Sequence, residues 1–208
     1  MFKLFFSPGS CALASHIALE HVGADYEAVR VDFSRAEQRS PAYLRHNPKG
    51  RVPALVAPEG VLTETPAILL YVAQSFPGAG LAPLASPFEL ARLNAFNSYL
   101  CSTVHVAHAH GVRGARWADD AAAIVAMKAK VATNMAECFA LIEREFLLGP
   151  WVFGERYTVS DMYLFTVAGW LERDGVDPTQ FPKVSAHRQR MADDPVVQRA
   201  LRAETTSL

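Results

Sequence analysis

The sequence predicts an α/β half followed by an all-α half. Short, punctuated apolar segments fill residues 1–76, and a stretch rich in Pro, Gly and Ala, FPGAGLAPLASP, follows at 76–87. Beyond it, apolar residues recur only at helical spacing. The expected spans are therefore 1–76, a linker at 77–87 and a helical part at 88–208.

Each element has its own signal. Phe2-Lys3-Leu4-Phe5-Phe6 reads as a strand. From Cys11 to Val22, Leu13, Ile17 and Leu19 with Ala14 and Ala18 give a helix stopped by Gly23. Tyr26 to Val31 alternates as a strand does. Ser40-Pro41 opens a short helix with Pro at its first position. Asn47-Pro48-Lys49-Gly50 is a turn cluster, and 53–56 with 61–63 predict a hairpin around Pro58-Glu59-Gly60. Thr65 to Ser75 closes the half as a helix, for a βαβ then αββα order. The helical half predicts long helices over 88–116, bent near Gly111 and Gly114, and over 119–148. A third is expected over 158–172, and one or two more over 183–203 around Pro195.

Half of the 208 residues are hydrophobic, and the formal charge is only -1. That balance gives no electrostatic footprint for nucleic acid or an anionic membrane. No apolar run is long enough to span a bilayer, and the N-terminal apolar stretch is too short for a signal peptide. A cytoplasmic protein is expected. Cys11, Cys101 and Cys138 are odd in number and widely spaced, which argues against a disulfide framework.

Cys11 follows Ser-Pro-Gly-Ser where strand gives way to helix. It reads either as a small core hydrophobe or as a sulfur whose anion the helix N-terminus favours. Gly9 lets the backbone approach a ligand, and Ser7 and Ser10 can cap. Val52-Pro53 reads as a strand start or as a cis turn. Glu64-Thr65-Pro66 sits where a strand feeds a helix, with Thr65 as N-cap and Pro66 as first helical residue. In His105-x-x-His108-x-His110 the first two share a helix face and the third does not, with no acidic residue close in sequence, so no metal is expected. In GERYTVSDMYLF, Thr158 and Asp161 form a capping box, flanked by Tyr157 and Met162 as a hydrophobic staple; this is read as structural.

Four stretches together resemble the cytosolic glutathione transferases, and within them the bacterial beta class: KLFFSPGSCALASHIAL, NPKGRVPAL, LTETPAILLYV and GERYTVSDMYLFTVAGW. They stand in that family's order and cover essentially the whole chain. The resemblance implies a thioredoxin-like N-terminal domain followed by a helical domain carrying the electrophile pocket. It implies glutathione as cosubstrate and a small hydrophobic electrophile or disulfide as partner, acted on by conjugation or by thiol–disulfide exchange. A homodimer is also implied. Cys11 would contact the glutathione sulfur, and Val52, before a cis-Pro53, would pair with its cysteinyl part. Thr65 would hold the γ-glutamyl carboxylate and Glu64 its ammonium, with Arg35 and Arg51 for the glycine carboxylate. His105 aligns with a histidine near the active cysteine and Trp170 with a tryptophan of the electrophile pocket. Ala12 stands where the class commonly has serine, and Phe6 lacks a phenol, which leaves Ser10 as the neighbouring hydroxyl. The class's glutamate and lysine around the histidine are here Thr103 and Val106. The alternatives are a non-catalytic glutathione or hydrophobic-ligand binder, and an isomerase or dehalogenase on the same scaffold.

Overall fold

A computed structural model describes residues 1–206. In it, strand β1 (Phe2–Phe6), helix α1 (Ala12–His21) and β2 (Tyr26–Arg30) form a parallel crossover unit. Helix α2 (Pro41–Leu44) leads to the hairpin β3 (Ala54–Ala57) and β4 (Gly60–Thr63), and α3 (Thr65–Ser75) follows. The sheet order is β2-β1-β3-β4, with β3 antiparallel to both β1 and β4. This is the arrangement the sequence predicts, a thioredoxin-like βαβ-αββα sheet followed by helices.

β1 is interior to the sheet, so both of its edges are paired. Leu4, Phe5 and Phe6 are all buried, and Phe5 packs edge-on against Tyr43 of α2. α1 is buried all round from Ala12 to Leu19. Its small residues Ala12, Ala14 and Ala18 suit a helix packed on several sides.

The helical half contains α4 (Pro87–Tyr99), α5 (His105–Arg113), α6 (Ala121–Ala129), α7 (Val131–Leu141), α8 (Val159–Ala168), α9 (Pro182–Asp193) and α10 (Pro195–Thr206). Several expected helices are shorter or broken. The 88–116 stretch carries a wide π-type turn at Leu100–Val104 that was not expected, and at Gly114, one of the two expected bend points, its α-helix gives way to a 3-10 turn over Gly114–Arg116. The 119–148 stretch divides at Lys130 into α6 and α7. α8 ends at Ala168 rather than 172. Two isolated bridges, Trp151 with Gly154 and Phe153 with Arg156, lie in the loop before α8.

Contacts divide the described residues into one unit of Met1–Leu90 together with those from Met191 onward, and another of Ala91–Arg190. The last helix of the expected 88–208 span thus groups with the sheet, because α10 packs on α1. Arg199 of α10 pairs with Glu20 of α1 at 3.1 Å.

Within the second unit the capping box is complete. Thr158 N–H donates to Asp161 Oδ2 at 2.8 Å, and the Thr158 hydroxyl accepts from Ser160 N–H at 3.2 Å. Asp161 also accepts from Val152 N–H at 2.8 Å and lies 3.2 Å from His187 Nε2. The carboxylate therefore ties α8, the preceding loop and α9 together.

Candidate functional site

Strand register brings the predicted residues of the first unit to one end of the sheet. Phe5 of β1 faces Ala54 of β3, and Ala54 faces Thr63 of β4. Phe6 pairs in parallel with Arg30. The C-terminal ends of β1, β2 and β4 and the N-terminal end of β3 therefore coincide. The segments 7–11, 31–35, 52–53 and 64–65 all leave the sheet there.

Cys11 is the N-cap of α1 and is 7 % exposed. Its Sγ donates to the Val52 carbonyl at 3.6 Å, a contact between residues 41 positions apart. Ser10 acts as the local cap: its hydroxyl accepts from Ala12 N–H at 3.3 Å, while its carbonyl accepts from Leu13 N–H. That bond is a structural job for the hydroxyl that was the remaining candidate for activation.

The Val52–Pro53 peptide is cis, and Val52 is buried. The turn before it is held from within. Tyr43 hydroxyl and Asn47 Nδ2 both donate to the Arg51 carbonyl, at 2.6 and 2.7 Å. Gly50 has φ +61, and a Cβ there would lie 2.9 Å from the Gln38 carbonyl oxygen, so only glycine fits. Burial pushes the Tyr43 hydroxyl up to about 12. Its neutral form is thus the folded form. The unfolded phenol ionises near pH 10 and the folded one about two units higher. Stability from this group is full below pH 10 and is lost as pH rises towards 12. Urea titrations across that range are expected to show a steeper fall for the wild type than for Tyr43→Phe. The variant should also lose about 1 kcal/mol at neutral pH. Parallel curves would contradict this.

Glu64, not Thr65, is the N-cap of α3; Thr65 is the first helical residue and Pro66 the second. Glu64 has φ +75 and ψ +121, a strained conformation for a residue with a side chain. Such strain is associated with functional sites and costs on the order of 1–3 kcal/mol. Thr65 is buried, at 3 % exposure. The Glu64 carboxylate pairs with Lys49, whose ammonium also donates to Thr63 Oγ1 at 2.7 Å. Lys49 was not singled out from sequence; it belongs to the NPKG turn, and only the fold brings that turn beside the end of β4. Both side chains are exposed, so the pair itself adds little stability. Arg35 and Arg51 are exposed at the same end of the sheet. Asp32, just before Arg35, accepts from Ser34 N–H and hydroxyl, which hold its carboxyl below the usual range.

In the second unit, His105 follows the π-type turn directly and lies 5.0 Å from the Trp170 ring. His108 stacks on the same indole at 4.3 Å and 21°. Its Nδ1 is 2.7 and 2.9 Å from the two Asp174 oxygens. Sequence spacing could not give this partner, which is 66 residues away. His110 packs against Trp117 instead. Among the described residues no group of three ligands could hold a metal ion.

Comparison with known proteins matches two family profiles: the N-terminal domain of glutathione S-transferase over residues 1–74, and its C-terminal domain over 114–190. The chain is 35 % identical over 205 residues to the glutathione S-transferase GstA of Escherichia coli O157:H7, covering 97 % of this chain and 98 % of that one. A glutathione transferase homologue from Sulfitobacter, solved with bound glutathione, superposes with a TM-score of 0.93 at 45 % identity over 96 % of each chain. The beta-class glutathione S-transferase of Sphingomonas chungbukensis gives a TM-score of 0.85 at 37 % identity, covering 97 % of this chain and 98 % of that one.

Proposed function

The chain belongs to the glutathione S-transferase family, and from that premise we propose how its own residues use glutathione. It is a glutathione transferase with glutathione as cosubstrate. The observation that carries the assignment of residues is the meeting of Cys11, Val52 and Glu64-Thr65 at one end of the sheet, with Cys11 Sγ on the Val52 carbonyl.

In this reading glutathione lies along Val52 as an added strand would. The Val52 carbonyl has a second lone pair, so the Cys11 contact does not exclude a second donor. Thr65, at the start of α3, receives the γ-glutamyl carboxylate on its N–H and hydroxyl. Glu64 takes the ammonium of glutathione in exchange for Lys49. Arg35 and Arg51 supply charge for the glycine carboxylate. His105 and Trp170 are assigned to the electrophile, which is small and hydrophobic. A homodimer in the bacterial cytoplasm is part of the same proposal.

Two chemistries follow. In conjugation, the glutathione thiolate attacks the electrophile and the leaving group or a protonated adduct departs. In exchange, the Cys11 thiolate attacks the glutathionyl sulfur of a mixed disulfide between glutathione and a substrate thiol. Cys11–S–S–glutathione forms, and the substrate thiolate leaves and takes up a proton. A second glutathione thiolate then restores Cys11 and releases oxidised glutathione.

Calorimetry of glutathione binding with Glu64→Ala tests the placement. Loss of a charge-assisted contact, about 1.5–3 kcal/mol, corresponds to roughly 10- to 100-fold weaker binding. Turnover of an activated aryl halide should fall in parallel at low glutathione. Unchanged affinity in the variant would remove Glu64 from the site, and no affinity in the wild type would overturn the whole placement.

A further inference from the structure

The small residues of α1 let α10 lie close, and this brings a carboxylate to the turn that carries Cys11. Glu204 of α10 is 4 % exposed. Its Oε2 accepts from the Gly9 N–H at 3.3 Å, across 195 residues of sequence. Gly9 holds φ +69, in the left-handed region, two positions before Cys11. Nothing lies within 4 Å of where a Gly9 Cβ would be, so the glycine is required by its backbone angle and not by crowding.

The rest of the carboxylate is poorly satisfied. Oε1 has no hydrogen-bond partner among the described residues; His16 Nδ1 stands 3.5 Å from it, within ion-pair range only for a protonated ring. His16 itself is fully buried, and neither ring nitrogen has a hydrogen bond. Burying an under-satisfied carboxylate costs several kcal/mol, and an apolar residue of similar size is often no less stable. Stability alone therefore does not account for a glutamate here. What the carboxylate does supply is a fixed acceptor for one backbone N–H of the Ser7–Ser10 turn.

We propose that Glu204 is a positioning residue. It holds the Gly9 amide and so sets where the following Ser10 and Cys11 stand against the Val52 carbonyl. The proposal rests on the reading of Cys11 as the reactive thiol, but it can fail separately. The reactivity of Cys11 depends on the register of this turn, and displacement of a reacting group by about 1 Å can cost up to a hundredfold in rate.

The test is the rate constant for alkylation of Cys11 by iodoacetamide, followed on the Cys11 peptide by mass spectrometry in the full-length protein. Wild type, Glu204→Gln and Glu204→Leu are compared with their melting temperatures. Glutamine keeps an acceptor for Gly9 and should stay within about twofold of wild type, while leucine should change the rate constant by about tenfold or more. In glutathione turnover the leucine variant should lose kcat more than it raises KM. If Glu204→Leu does not fold, Glu204→Asp replaces it: the shorter arm withdraws the acceptor but keeps the charge, and an intermediate change is expected.

A wild-type alkylation rate in the leucine variant, or in the aspartate variant where leucine fails to fold, overturns the proposal even if the melting temperature falls. Equal loss in the glutamine and leucine variants overturns it too, because it would assign the effect to charge rather than to the bond with Gly9. A chain with no transferase turnover still reports through alkylation, so failure of the functional reading is distinguishable from failure of this one.

Discussion

Asp161→Ala is expected to lower the melting temperature by roughly 10 °C. Breaking a buried pair by removing one partner costs about 3–5 kcal/mol. Each kcal/mol moves the melting point of a chain of this size by about 2–4 °C. The cost is argued from the partners left behind. Val152 N–H and Thr158 N–H lose their acceptor, and His187, fully buried, loses its carboxylate. Each buried donor left without a partner costs on the order of 1–3 kcal/mol. Asp161→Asn is expected to lie between, because one oxygen can still accept while the amide nitrogen must face a donor. α8 also leads into Trp170 and Asp174, so the loss should spread to the His108 stack. Thermal unfolding followed by circular dichroism checks the order wild type, Asn, Ala. A shift for alanine below about 2 °C would show that the capping box is not the keystone of this unit.

Cys11→Ala is expected to abolish thiol–disulfide exchange, a fall on the order of a thousandfold or more, since the nucleophile itself is removed. Glutathione affinity should change by less than about threefold, because the proposed binding contacts come from Val52, Glu64 and Thr65. Conjugation is expected to persist in part, as glutathione brings its own thiol. Separate assays with a mixed disulfide and with an aryl halide read the two chemistries. Equal exchange rates in wild type and variant would make Cys11 a packing residue.

How much of this was legible in the sequence depends on the range of each interaction. The thioredoxin-like order of strands and helices was readable because periodicity, Gly23, Pro41 and Asn47-Pro48-Lys49-Gly50 act locally. The capping box at Thr158 and Asp161 was readable for the same reason: both partners lie within one turn of helix. The breaks at Leu100–Val104 and Lys130 were not, since helical propensity continues through both and tertiary packing decides. The start of α3 was off by one residue because Thr65 and Pro66 carry the usual capping chemistry, while Glu64 takes the strained cap position that sequence preference disfavours. Candidate residues at strand ends were readable through the family resemblance. Their meeting at one end of the sheet needed the register of β1, β3 and β4. Lys49 with Glu64, Asp174 with His108 and Glu204 with Gly9 were out of reach, because each joins residues between 15 and 195 positions apart.

The most direct measurement is intact-protein mass spectrometry of wild type and Cys11→Ala after exposure to oxidised glutathione. The account predicts a mass gain of one glutathionyl group in the wild type, reversed by reduced glutathione, and no gain in the variant. An unmodified wild type that still binds glutathione, or equal modification of both proteins, would contradict the placement of Cys11 at the glutathione sulfur.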